Sequence, residues 1–162
     1  MMEFLNQNSA QTLEQGLEEL YEHNPEVART SRAKGKSFID HDLTHVIFGC
    51  DTSIHGELVL KPWILFGTTI TVQELKDYAA DEEVQRLNKE GEALLGGFFP
   101  ALLKMIFIYL PHFIHTWLFR VRRMTRKWPH AAVTPEMLRS PLADLRREYG
   151  INVIPTDDRQ RA

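Results

Sequence analysis

The residues of this chain best placed to do chemistry are two histidines, an aspartate and a later glutamate: His41-Asp42-Leu43-Thr44-His45, eleven residues, then Glu57. On a helix advancing about 100° per residue, positions 41, 42 and 45 fall at roughly 0°, 100° and 40° around the axis. The imidazoles then stack one turn apart, where both can bind a single metal ion. Asp42 can add a carboxylate oxygen or orient a ligand from behind it. Glu57 lies too far along one unbroken helix to join them. The segment Gly49-Cys50-Asp51-Thr52-Ser53 carries turn and cap residues that let the chain double back, so that Glu57 faces the histidines from the first turns of the next helix. Gly56 allows the two helices a close approach. Two imidazoles with one or two carboxylates suit Zn²⁺ best, with Fe²⁺ and Mn²⁺ as alternatives. The plain alternative is a pair of exposed helical histidines with no metal.

Competing chemistries lack their residues. A metalloprotease pattern needs Glu directly after the first His, where this chain has Asp42. No paired Glu-x-x-His motifs, Gly-rich phosphate loop or Gly-x-Ser-x-Gly elbow occurs. Cys50 sits beside the site without an activating neighbour and is expected to be a buried spectator.

The elements that must position these groups are helices. Leu13, Leu17, Leu20 and Tyr21 form one apolar stripe. Asn24-Pro25-Glu26 starts a second helix and Gly35 closes it. Asp40 is the expected cap of a third, running from His41 to Phe48. Pro62 should end or kink the helix that carries Glu57. Thr71-Val72-Gln73-Glu74 is a capping box, opening a helix with Val72, Leu75, Tyr78, Ala79 and Leu87 inward and Asp81, Glu82 and Glu83 outward. Thr134-Pro135 and Ser140-Pro141 start two more, and Gly150 is a stop. Ile151 to Ile154 alone looks strand-like. The expected fold class is all-α, a helical bundle spanning residues 1–155 as one domain, with a flexible tail over 156–162.

Composition agrees with one domain that has its own core: 162 residues, 43% hydrophobic and 25% charged. A single cysteine excludes an intrachain disulfide and CxxC-type zinc sites. Met1 to Gln11 lacks the basic and apolar regions of a secretory signal, so the cytoplasm is expected. The net charge of −3 hides a split: residues 1–93 carry 8 Lys and Arg against 17 Asp and Glu, residues 94–162 carry 11 against 5. The basic half opens with an apolar block, Leu94 to Leu110, holding one charge, Lys104. At seventeen residues it is short for a membrane span, which needs about 20. A buried core helix, a helix lining a lipid tunnel and one lying against a bilayer stay open. Arg120, Arg122, Arg123, Arg126 and Lys127, with Trp117 and Trp128, suit an anionic membrane surface. An ordinary solvated face is the alternative, and nucleic acid is not expected because the rest of the chain is acidic. His112 and His115 have no carboxylate nearby in sequence and are expected to pack.

Beyond the metal motif, three further stretches point one way. HDLTHVIFGCDTSIHGELVLK, with Lys61 four residues after Glu57, resembles the metal motif of the fourth coenzyme Q (ubiquinone) biosynthesis protein family. Leu95-Gly96-Gly97-Phe98-Phe99 resembles its glycine–aromatic segment, and Leu145-Arg146-Arg147-Glu148-Tyr149-Gly150-Ile151 its C-terminal signature. The likeness runs over residues 41–151 in the family's order. Phe38-Ile39-Asp40 replaces an Arg-containing approach and Pro62-Trp63 replaces a Phe-Glu pair, marking a divergent member of bacterial type. The resemblance implies a divalent metal on His41, Asp42, His45 and Glu57. It implies a hydrophobic tunnel for a polyprenyl chain, with Phe98, Phe99, Leu102 and Ile106 as the lining candidates. It also implies decarboxylation with hydroxylation of a prenylated aromatic precursor, and organisation of other biosynthetic enzymes. The expected partners are therefore a prenylated quinone precursor, the inner face of a membrane held peripherally, sister enzymes, and a second copy of the chain. A non-catalytic lipid-binding scaffold and an unrelated helical metalloprotein are the alternatives.

Overall fold

The computed structural model describes residues 2–154, predominantly helical and with no strand among them. The expected tail at 156–162 lies outside the described residues. Helix α1 (Leu13–His23) opens with a capping box in which Thr12 and Gln15 satisfy each other's backbone N–H. Its Leu13 and Leu20 are fully buried. Helix α2 (Pro25–Lys34) ends at Gly35, whose φ of 86° suits a residue without Cβ.

Helix α3 (Lys36–Phe48) starts at once, more than a turn before the expected Asp40 cap. Asp40 instead lies inside the helix, buried, with Lys36 Nζ 2.5 Å away on the preceding turn. The carboxylate is thus engaged by an i,i+4 cation rather than by backbone N–H groups. Residues 42 to 48 of α3 are all buried. Val46, Ile47 and Phe48 join Phe4, Leu13, Leu20, Leu60, Trp63 and Leu142 in the core.

Ser53 caps α4 (Ile54–Pro62) by accepting the Gly56 N–H. Pro62 has no N–H for the helical ladder, and α-type winding stops there as expected. A π-turn over Trp63–Gly67 continues it and stacks Trp63 on Phe48, with ring centroids 4.8 Å apart. The Thr71–Glu74 capping box opens α5 (Val72–Ala80). The single helix expected through Leu87 breaks at Asp81, which caps α6 (Glu82–Leu94) and pairs with Lys34 at 2.8 Å. Leu75 and Tyr78 are half-buried, but Val72, Ala79 and Leu87 are exposed, so the expected inward face is only partly inward.

The apolar block forms α7 (Phe98–Lys104), a π-turn over Met105–Tyr109 and α8 (Leu110–Phe119). The helical path Phe98–Arg123, 26 residues, is long and apolar enough to cross a membrane by length and composition. It is not a buried core helix: Phe98, Phe99 and Phe107 are 62%, 75% and 72% exposed. One side of α8 lies on α4 and the turn after it, where Phe66 meets Phe113 and Trp117.

Thr134 caps α9 (Pro135–Arg139), and α10 (Leu142–Tyr149) stops at Gly150. Ile151 to Ile154 is not a strand. The Gln7 side chain donates to the Ile151 carbonyl and accepts the Val153 N–H, taking the bonds a neighbouring strand would have made. Arg146 is completely buried and donates to the carbonyls of Phe4, Asn6, Val46 and Ile47. It ties the N-terminal turn and the end of α3 to α10. Arg146→Met leaves those oxygens without a charged donor and should cost about 3 kcal/mol or more in chemical denaturation. A loss below about 1 kcal/mol would show that the tie is dispensable.

Candidate metal centre

His41 and His45 project from α3, and the reversal at residues 49–53 returns Glu57 to them in the first turn of α4. His45 Nε2 is 3.1 Å from Glu57 Oε1, and His41 Nε2 is 3.9 Å from Oε2. One donor atom from each of the three residues lies within 4.8 Å of the others. A tetrahedral ion with bonds of about 2.0–2.2 Å separates its donors by about 3.3–3.6 Å. The triad brackets that spacing, so it could hold a metal ion.

The His45 ring supplies the stronger fit. Its Nδ1 lies 3.1 Å from the Asp51 carbonyl and 3.3 Å from that of Cys50. Carbonyls only accept, so Nδ1 carries the proton and Nε2 presents a lone pair. That Nε2 is buried and, among the described residues, meets no partner in hydrogen-bonding geometry. A lone pair facing a carboxylate oxygen across 3.1 Å is repulsive unless a proton or a metal cation sits between them. An imidazole held through its other nitrogen by backbone carbonyls is the usual arrangement of a metal-binding histidine.

Electrostatics agree. Burial disfavours the Glu57 carboxylate, but the charges of His45, His41 and Lys61 outweigh it and hold the carboxyl at about 2. Burial likewise disfavours the His45 imidazolium, and the charge of Glu57 reverses that, leaving His45 raised above its ordinary value. Without metal the pair therefore shares a proton that an incoming cation must displace.

Asp42 stands just outside the triad. Its Oδ2 accepts from Tyr21 at 2.9 Å and from Ser31, and its Oδ1 is 3.9 Å from His41 Nδ1. At 3.9 Å that separation is longer than a hydrogen bond, so Asp42 lies beside His41 without fixing its ring. Burial and the Asp42 charge push the Tyr21 phenol well up, so it remains the donor. Tyr78 of α5 stacks on the other side, its ring 4.9 Å from His41 and inclined by 16°. Phe38, 5.3 Å from Tyr78, and the Lys34–Asp81 pair hold α5 there. Sequence reasoning assigned Tyr21 and Tyr78 to apolar faces and gave Ser31 no role; none carries a motif. Gly56 does permit a close approach, but to the turn rather than to α3: a Cβ there would lie 2.0 Å from the Asp51 carbonyl oxygen.

Other candidates fall elsewhere. Cys50 is buried, its thiol directed at the Phe48 carbonyl. His112 and His115 are exposed on α8 and belong to no three-residue donor group among the described residues. Phe98, Phe99, Leu102 and Ile106 are all exposed, and Ile106 lines a cleft. The helix that was to wall a tunnel faces outward because only one side of it meets α4. The basic cluster is also divided. Arg120 donates to the Asn152 and Val153 carbonyls and Arg126 pairs with Glu148, while Arg122, Arg123 and Lys127 are exposed. Trp128 is fully buried against Tyr149 and cannot sit at a membrane surface. Compared with known proteins, the chain matches no family model, no curated protein and no solved structure.

The His45–Glu57 pair has a pH signature. Glu57, lowered from 4.5, stabilises the metal-free fold above that value and loses its contribution as pH falls toward 2. His45, raised from 6.5, stabilises below that value and loses its contribution as pH rises through its folded value. In denaturation of chelator-treated protein, the advantage of wild type over Glu57→Gln should be greatest between 4.5 and 6.5 and shrink on either side. A difference independent of pH would contradict the pairing.

Proposed function

We propose that this chain is a divalent-metal protein of ubiquinone synthesis that binds a prenylated aromatic acid beside the metal. The observation that carries the reading is the buried His45 Nε2 aimed at Glu57. The sequence resemblance over residues 41–151 supplies the pathway and the substrate class. His41, His45 and Glu57 would hold the ion, with the Asp42 carboxylate, held by Tyr21 and Ser31, close behind His41. Zn²⁺ suits two imidazoles and a carboxylate best. A bound divalent cation would act as a Lewis acid on the substrate's carboxylate or phenol oxygen, where charge develops as carbon dioxide leaves. Hydroxylation at the same carbon would additionally require dioxygen as oxidant and oxygen source, with electrons from the ring itself or from a redox-active ion such as Fe²⁺. The chain's own part is positional: α3 and Tyr78 shut water away from His45 and one face of His41, and Glu57 remains ionised.

The exposed face of α7 and α8 supports a membrane partner. Burying a large apolar side chain is worth about 1.5–3 kcal/mol, and each cation near an anionic surface adds about 1 kcal/mol. Arg122, Arg123 and Lys127 lie at the end of that face. The same helix favours a second reading, a lipid-holding scaffold in which the ion only ties α3 to α4.

Loaded with zinc and freed of excess, wild type should retain about one ion per chain, and His45→Ala and Glu57→Gln under about a tenth of that. Equal retention in all three would remove the site. In a quinone-deficient strain, rescue by wild type but not by Glu57→Gln supports metal-dependent chemistry. Equal rescue by both supports the scaffold, and no rescue by wild type overturns the pathway assignment. For the membrane, Phe99→Asp with Phe107→Asp should lower partition onto anionic vesicles about tenfold or more; unchanged partition would contradict it.

A further inference from the structure

An apolar cleft of about 180 Å³ opens between α4 and the long helix, lined by Leu58, Met105, Ile106, Tyr109, Leu110 and Phe113. Its size is that of a single ring-sized group. Lys61 is the charged residue on its wall. Glu57 and Lys61 are four residues apart on α4, hence on one face of it, so the cleft adjoins the metal triad. Among the described residues Lys61 has no ion-pair partner, although its charge reaches Glu57. A lysine on a solvated face would carry no meaning. Lys61 is exposed, but it lines this apolar cleft one helical turn from Glu57, near enough for its charge to act on that carboxylate.

We propose that Lys61 sets ligand specificity: the cleft takes the first apolar group of an amphiphile, and Lys61 pairs with its carboxylate and turns it toward His41, His45 and Glu57. The inference rests on the metal-binding reading above and adds the residue that chooses the head group. With neutral imidazoles and the Glu57 carboxylate, a bound divalent ion leaves the site with one net positive charge, and the Lys61 ammonium adds a second, so an anionic head group is favoured over a neutral one of the same shape.

Two probe pairs test this on zinc-loaded protein by calorimetry, with zinc content measured for every variant: 3-geranyl-4-hydroxybenzoate against 2-geranylphenol, and decanoate against decanol. Wild type should prefer the carboxylate of a pair by about tenfold or more, the scale of a charge-assisted contact. Lys61→Met keeps the apolar stem and should lower that preference several-fold, to what the metal alone supplies, while leaving affinity for the neutral probe unchanged. Lys61→Arg should retain it. A full preference in Lys61→Met, equal binding of acid and neutral probe by wild type, or no binding of any probe overturns the proposal. A Lys61-dependent preference confined to decanoate upholds Lys61 and counts against the prenylated ring. A prenyl-acid preference undiminished by Lys61→Met does the reverse.

Discussion

The site depends on one contact, the buried Nε2 of His45 facing Glu57 across 3.1 Å, a gap that either a proton or a cation must bridge. The ring cannot turn away, because Nδ1 is committed to the carbonyls of Cys50 and Asp51. Those carbonyls belong to the turn that reverses the chain, so one loop both fixes the tautomer and returns Glu57. The turn is itself pinned. Asp51 accepts the Ser53 N–H, Ser53 caps α4, and Thr52 donates to Asn24 at the start of α2. The core holds the other side of the contact in place, since α3 is buried from Asp42 to Phe48 and has little freedom to move.

Around that contact, charge and packing divide the work. Tyr21 and Ser31 hold the Asp42 carboxylate from α1 and α2, and Tyr78 covers the His41 ring from α5. Glu57 alone of the triad is substantially open, with 43% of its side chain exposed against 12% for His41 and 1% for His45. Glu57 is therefore the most open side of the triad, and Lys61 and the apolar cleft lie on the same helix, α4. The long helix that walls the cleft also carries exposed Ile106 and Phe107.

Much of this was legible in the sequence because it depends on local rules. Histidines four apart share a helix face, Ser53 and Thr71 cap the helices they precede, and Pro62 stops α-type winding. The failures have a common cause. Asp40 looks like a cap until Lys36, a turn earlier, extends α3 and takes its carboxylate. Ile151 to Ile154 alternates like a strand until Gln7, more than 140 residues away, uses its backbone groups. The apolar block gave no sign of which side it would bury, since Leu, Ile and Phe surround the helix and only tertiary contact breaks the symmetry. Tyr78 and Ser31 could not be assigned because their partners are set by the packing of α2 and α5 on α3.

The central claim, that His41, His45 and Glu57 hold one metal ion, is tested most directly by X-ray absorption at the zinc edge of the loaded protein. The account predicts two imidazole nitrogens with carboxylate oxygen at about 2.0–2.2 Å and no sulfur shell. A sulfur shell at about 2.3 Å, which would bring in Cys50, or a first shell without imidazole would contradict it.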